Sequence, residues 1–492
     1  MGKSLVTLGL LVAALTITAL VRRCPGPTGV SESPTVRAAV VRFDAGLAIT
    51  DVTVIDGTGR PPQPGRTVVV RGGRIAAVRP ADEVTLGPDV RVIAGRGRYL
   101  IPGLWDMHVH LTEPGALSLL TRHGVTGVRH MYSINPVFPG KLAFDPANPT
   151  HPRTVGSTHM LDGKGNPFRW PANTNVITVT DPAGAGKAVS EAIRLGNDQI
   201  KVYPMLTGPV YAAVVNAARE RGLDVVGHLS KDVSAAEASD AGQRSIEHLD
   251  GLAIGFSKKP GRWTVMRIQA PIPGHGLDDL SGWRVQLAAH DDFDEQQAAS
   301  LCETFVRNGT FHVPTLVQTR ASGLLRDAAW DEGGLPPLLR VAWQRKRLPD
   351  GGVEIPALRI RMDAAELNDR ARLFQKDLAT VGRMRRAGVK LLAGTDTPYP
   401  GVLPGDALHT ELELLVQAGL TPLEAIRAAT VSAAECLRRA DQVGSISEGL
   451  LADLVLLDRN PAGDIRHTRS VRTVLVGGRE AWSADHTNPR GR

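Results

Sequence analysis

Cysteine is scarce in this chain of 492 residues: Cys24, Cys302 and Cys436 are the only three, odd in number and far apart. That excludes a disulfide framework and a cysteine-rich zinc site. The chain also lacks any basic run interleaved with aromatic residues. Its formal charge of +7 comes from 57 basic against 50 acidic residues spread along the whole length, so nucleic-acid binding is disfavoured. No internal repeat is present, and the 52 glycines and 34 prolines are scattered as turn punctuation, which argues against a fibrous or disordered chain. Long apolar runs are confined to one place. Leu5–Val21, "LVTLGLLVAALTITALV", is uncharged, preceded by Lys3 and followed by Arg22 and Arg23. It reads as an export signal or a short membrane anchor. It is somewhat short for a span of about 20 residues, and no small-x-Ala cleavage site stands out, so both readings stay open. Either way the protein is expected to be exported (periplasmic or extracellular) or tethered to a membrane through residues 1–23, with 24–44 as a linker.

What is present is the composition of an ordinary globular protein, 42% hydrophobic and 22% charged, long enough for one large domain and a smaller one. After the linker, "LAITDVTVIDGTG", "RTVVVRGGRIAAVRP" and "VRVIAGRGRYLIPG" are Val/Ile-rich runs divided by Gly and Asp-Gly turns, as in a small antiparallel sheet. The same texture returns in "ADLVLLDRNP" and "VRTVLVGGREAW". Segments 45–100 and 443–485 are therefore expected to form one composite β-sandwich domain. Between them, short apolar strands ("QIKVY", "LDVVGH", "RSIEHL") alternate with amphipathic helices ("AGKAVSEAIRLG", "VYAAVVNAARERG", "VSAAEASDAG"), the pattern of parallel βα units. Over 101–442 it suits a closed (β/α)8 TIM-like barrel, with 250–385 an insertion-rich stretch that shapes the substrate pocket.

In such a barrel, chemistry gathers at the C-terminal strand ends. His108 and His110 of "GLWDMHVH", two apart on a strand, face the same way and form a natural pair of metal ligands. Alone they would read better as two satisfied core histidines. They are joined by Lys201 in "QIKVYP", His228 in "DVVGHLS", His248 in "RSIEHLD" and Asp396 in "LLAGTDTP", each at the end of a strand. An ammonium among four histidines would repel any cation bound there, which calls for another state of the lysine.

The segments "IPGLWDMHVHL", "HGVTGVR", "IKVY", "VVGHLS", "SIEHLD", "AGTDTP" and the tail "ELELLVQAGLTPLEAIRAATVSAAECL…GSISEGLLADLVLLDRNP" together resemble the amidohydrolase superfamily. Within it, they resemble the branch of imidazolonepropionase-like hydrolases and metal-dependent Xaa-Pro-type dipeptidases. The resemblance covers about 45–485, in the family's order. It implies His108, His110 and Asp396 as ligands of the more buried of two divalent metals, most simply zinc. It also implies Lys201 as a carbamate bridging both metals, and His228 and His248 as ligands of the second. It further implies attack of a metal-bridging hydroxide on an amide, cyclic amide or peptide-like C–N bond, with Asp396 as proton shuttle.

Tyr203, on the face of Lys201, and His159, in "GSTHMLDGKGNP", are candidate substrate contacts. His130 stands where relatives commonly carry aspartate, and the remaining histidines read as surface or supporting groups. A lactonase or esterase with the same binuclear site, a mononuclear deaminase or deacetylase with unmodified Lys201, and a non-catalytic binding scaffold stay open as alternatives. The expected partner is a small-molecule substrate, with no nucleic acid; a homo-oligomer is compatible with the reading.

Overall fold

The computed structural model describes residues 40–111, 114–133, 151–166, 175–269, 282–325, 339–340, 343–358 and 360–487. The apolar run 5–21 and the linker up to residue 39 lie outside the described residues. Among the described residues, no helix is long and apolar enough to cross a membrane.

The chain opens with β1 (Val41–Val54), β2 (Gln63–Arg71), β3 (Arg74–Pro80), β4 (Val84–Ala94) and β5 (Tyr99–Pro102). Strand β1 thus begins inside the segment expected as linker. β2 and β3 are joined by Gly72 and Gly73, both at positive φ (55° and 77°), the backbone a two-residue hairpin turn requires and side chains resist. Five parallel-running units follow: β6 (Leu104–Val109), β7 (Val125–Met131), β8 (Arg153–Ser157), β9 (Met160–Asp162) and β10 (Val176–Thr178). They continue into β11 (Ile200–Val202), β12 (Val225–Gly227), β13 (Ser245–Glu247) and β14 (Phe311–Val313). A small antiparallel sheet, β15 (Lys346–Arg347), β16 (Val353–Ile355) and β17 (Ile360–Met362), precedes β18 (Lys390–Leu391). The chain closes on β19 (Leu454–Leu457), β20 (Val471–Val476) and β21 (Arg479–Ser483).

The β-rich part is one mixed sheet of eight strands, β21-β20-β19-β5-β1-β2-β3 with β4 also on β1. It is not a sandwich of two sheets, and it is not purely antiparallel. The reason is the length of β1, whose 14 residues take β2 antiparallel on one edge, and β4 and then β5 in parallel on the other. β5 pairs with β19, so both ends of the chain meet here. Alternation along β1 and β2 puts Leu47, Ile49, Val68 and Val70 into one core and Ala48 and Val69 into another.

The remaining parallel strands do not form one closed ladder. They divide into β6-β7-β8 and β10-β9-β11-β12-β13-β14-β18. At one seam, β8 stops at Ser157 and β9 takes over the pairing with β11. At the other, the chain beyond β18 leaves regular geometry, with Asp396 at φ 61°. Backbone hydrogen bonds cross both seams: Asp198 N to Gly156 O (2.8 Å), Met107 N to Ala393 O (2.9 Å) and Asp396 N to His108 O (2.8 Å). Behind β6, the buried Trp105 ring covers Gly127 of β7, where a Cβ would lie 2.2 Å from the ring.

Helices cover the strands. In the stretch 250–385 the longest is Ala364–Arg386, capped by the Asp363 side chain, which accepts from Glu366 N. Among its charged residues, Arg370 and Asp377 are buried. Arg370 lies 4.6 Å above the Trp283 ring and pairs with Glu366, so its guanidinium is accommodated by stacking and an ion pair. Burial pushes the Asp377 carboxyl up to about 8, against a hydrogen bond from Thr319. The folded protein therefore keeps a proton that the unfolded chain releases near pH 4. Stability contributed at this site is lost as pH rises from about 4 to about 8. Asp377→Asn is expected to raise the unfolding midpoint over the wild type more at pH 8 than at pH 5, by thermal denaturation; a constant difference would contradict this burial cost.

Candidate metal centre

β6 delivers His108 and His110 to one side of the strand, and the backbone bonds of the 393–397 segment to β6 bring Asp396 opposite them. Asp396 Oδ1 lies 3.0 Å from His110 Nε2 and 3.4 Å from His108 Nε2. The donor atoms of the three residues all lie within 4.8 Å of one another. Each imidazole uses its other nitrogen as a donor: His110 Nδ1 to Tyr132 O (2.9 Å) and His108 Nδ1 to Glu247 Oε2 (2.8 Å). A neutral ring has one N–H, so both Nε2 atoms present lone pairs to a carboxylate oxygen. His108 Nε2 is buried without a hydrogen-bond partner. Lone pairs this close need a proton or a cation between them, and a divalent cation satisfies all three donors together; the residues fit a metal.

The electrostatics keep these donors in metal-binding form. Burial, reinforced by His248, Lys201 and His110, holds His108 well below the usual imidazole range. Burial alone would raise the Asp396 carboxyl, but the pull of His248 and of the Lys201 charge outweighs it and holds the group below its ordinary value.

The other three predicted ligands are adjacent but less converged. The His248 ring lies 4.6 Å from that of His108 and 4.9 Å from that of His228. Its Nδ1 donates to Thr315 Oγ1 (2.8 Å), whose hydroxyl donates in turn to Pro314 O, so Nε2 is left as the acceptor. Thr315 is itself held in place because Glu411 accepts from the N–H groups of Leu316 and Val317 just beyond it. His228 Nδ1 is buried without a hydrogen-bond partner. Among the described residues, His228 and His248 do not join any further group of three close donors. Lys201 is buried, and Nζ donates to Met131 O. Burial pulls its ammonium down to about 8 against the opposing pull of Asp396 and Glu247.

Tyr203 is beside the site, its ring 4.5 Å edge-on from that of His228. His159 is not brought there: it contacts Thr158 and Asn197, and the charges acting on it are Glu191 and Arg194 of a surface helix. His130 pairs in register with Val109 and accepts from Leu111 N (3.2 Å), which places it on the face of β7 opposite Arg129. His312 and His409 are fully buried. His312 lies against Phe305, and His409 hydrogen-bonds Thr468.

Four supporting residues stand outside the set expected from the sequence. Asp106, two before His108, accepts from Thr395 N (3.0 Å) and Thr395 Oγ1 (2.7 Å), and so anchors the segment that carries Asp396. Glu247, Arg129 and Ser245 form a buried network beneath His108: Arg129 Nη2 donates to both oxygens of Glu247 (2.8 and 2.9 Å), and Ser245 Oγ donates to Oε1 (2.6 Å). Strand alternation was a usable cue for Asp106, which shares the face of His108 and His110.

A model of the "Amidohydrolase family" matches residues 199–481. An imidazolonepropionase of Symbiobacterium thermophilum is 25% identical over 407 residues, 80% of this chain and 84% of that protein. An adenine deaminase of Ruegeria pomeroyi is 41% identical, but over 83 residues that make up 17% of this chain and 14% of the deaminase. Two solved structures are similar in fold. Bottromycin amidohydrolase has a TM-score of 0.64 at 25% identity, over 88% of this chain and 86% of that one. An Xaa-Pro dipeptidase with bound methionine has 0.60 at 20% identity, over 89% and 100%.

Asp106→Ala is expected to cost at least about 1–3 kcal/mol, the effect of orphaning a buried donor, since it strips acceptors from Thr395. Chemical denaturation after chelator treatment measures this, and an unchanged midpoint would contradict the anchoring role.

Proposed function

The chain belongs to the amidohydrolase family, and on that premise we propose that it is a metal-dependent hydrolase of amide, cyclic amide or peptide-like C–N bonds. The observation that carries this reading is the convergence of the His108, His110 and Asp396 donors on one point in a buried site. Those three residues would hold one cation, His228 and His248 would hold a second, and Lys201, as a carbamate, would serve as a ligand to both. Two divalent ions, most simply zinc, would ionise water at neutral pH and polarise the scissile carbonyl. Lys201 reaches its bridging form when the neutral amine nitrogen bonds the carbon of carbon dioxide and releases one proton; burial favours that neutral amine. Asp396 accepts the proton lost by the attacking water on a carboxylate oxygen and passes it to the departing nitrogen. Tyr203 walls the site beside His228 and contacts the substrate.

The relatives' names, an imidazolonepropionase, an amidohydrolase and a dipeptidase, support a C–N bond as the target. The hydrogen bonds across both seams support reading β6, β7, β8, β11, β12, β13, β14 and β18 as one (β/α)8 arrangement. The apolar run 5–21 with its flanking basic residues supports export or membrane tethering.

Lys201→Ala is expected to lower the metal content from about two ions to one or fewer per chain and to abolish most turnover; elemental analysis showing full metal with an unchanged rate would contradict the bridge. In a panel of N-acyl amino acids, dipeptides, cyclic ureides and lactones, turnover is expected on C–N substrates, and turnover confined to lactones would overturn the bond assignment. Removing residues 1–23 is expected to move the protein from the exported or membrane fraction to the soluble cytosol with catalysis intact; an unchanged distribution would contradict the targeting role.

A further inference from the structure

Glu247 stands outside the donor cluster, yet the cluster's most buried member leans on it. Its side chain is fully buried, and every hydrogen bond it makes is to a side chain that is buried as well. Oε2 accepts from His108 Nδ1 and from Arg129 Nη2; Oε1 accepts from Arg129 Nη2 and from Ser245 Oγ. Arg129 is fixed in turn by bonds from Nη1 to Ser245 Oγ (2.8 Å) and from Nε to Met107 O (2.7 Å), next to His108 itself. The carboxylate therefore cannot turn away from the imidazole without breaking a guanidinium pair in the protein interior, a change that leaves a charge uncompensated.

We propose that Glu247 is a positioning residue for metal capture, fixing His108 as the Nδ1–H tautomer so that its Nε2 lone pair faces the point shared with His110 and Asp396. The inference rests on the metal-site reading above and adds a residue and a role to it. Because a guanidinium-paired carboxylate only accepts, the hydrogen on His108 must sit on Nδ1. The ring's one remaining acceptor is Nε2, the atom that has no hydrogen-bond partner. The carboxylate also raises the basicity of the ring it holds, as carboxylates behind metal-binding histidines do. An ion pair serving the fold alone would need Arg129 and Glu247 but would not need the bond to His108.

The test titrates the full-length chain, stripped of metal, with Zn²⁺ in competition with a chromophoric chelator. Glu247→Gln is expected to weaken the tighter site by about 10–100-fold. Ser245→Ala, which trims the same network without touching His108, is expected to stay close to the wild type. Wild-type affinity in Glu247→Gln, or an equal loss in both variants, overturns the positioning role. Absence of zinc binding by the wild type overturns the metal-site reading itself, so the two failures are distinguishable. Should Glu247→Gln not fold, the wild type decides. Long-range ¹H–¹⁵N correlation spectra of the metal-free protein, with His108 signals identified by their loss in His108→Gln, are expected to show the Nδ1–H tautomer. An Nε2–H or doubly protonated ring overturns the proposal.

Discussion

Three lone pairs, two on imidazole nitrogens and one on a carboxylate oxygen, are held a few ångströms apart where water has little access. Such an arrangement is unfavourable unless something positive occupies the space between them. Burial and nearby cationic groups resist protonation of His108, and at Asp396 the neighbouring cationic groups outweigh burial to the same effect, so a proton is a poor occupant and a divalent cation a good one. Much of the surrounding polar structure can be understood as holding these atoms in that arrangement.

The holding is done by backbone and side-chain hydrogen bonds that link segments distant in sequence. Asp106 ties the Asp396 segment to β6 through Thr395. Tyr132 O and Glu247 settle which nitrogen of His110 and of His108 carries hydrogen. Thr315 does the same for His248 and is steadied by Glu411, which caps the next helix. The β6-β7-β8 ladder and the seven-stranded ladder are thus tied together across the site by its own supporting residues as well as by backbone bonds at the seams.

Much of this was legible in the sequence, and what was not has physical causes. His108, His110, Lys201, His228, His248 and Asp396 were readable because each ends an apolar strand, and the structure gathers them in one neighbourhood, three of them tightly. Glu247 was hidden by strand alternation itself, which sends neighbours to opposite faces. His248 and Leu249 adopt left-handed backbone (φ 57° and 53°), so Glu247 and His248 both reach His108. Asp106 is visible through its alternation with His108 and His110, whereas the purpose of the buried Arg129 is revealed only by its partner Glu247. The β-sandwich expectation failed because strand content is visible in composition, while the length of β1, which lets it take three partners, is a matter of pairing. The burial of Arg370 is invisible in the sequence for a related reason: the Trp283 ring that receives it comes from a different helix, distant along the chain.

The most direct measurement is anomalous diffraction at the zinc edge from crystals of the full chain grown with zinc. A peak bounded by His108 Nε2, His110 Nε2 and the Asp396 carboxylate is expected. A map without anomalous signal there, in a chain whose fold is intact, would contradict the claim that these lone pairs are gathered for a cation.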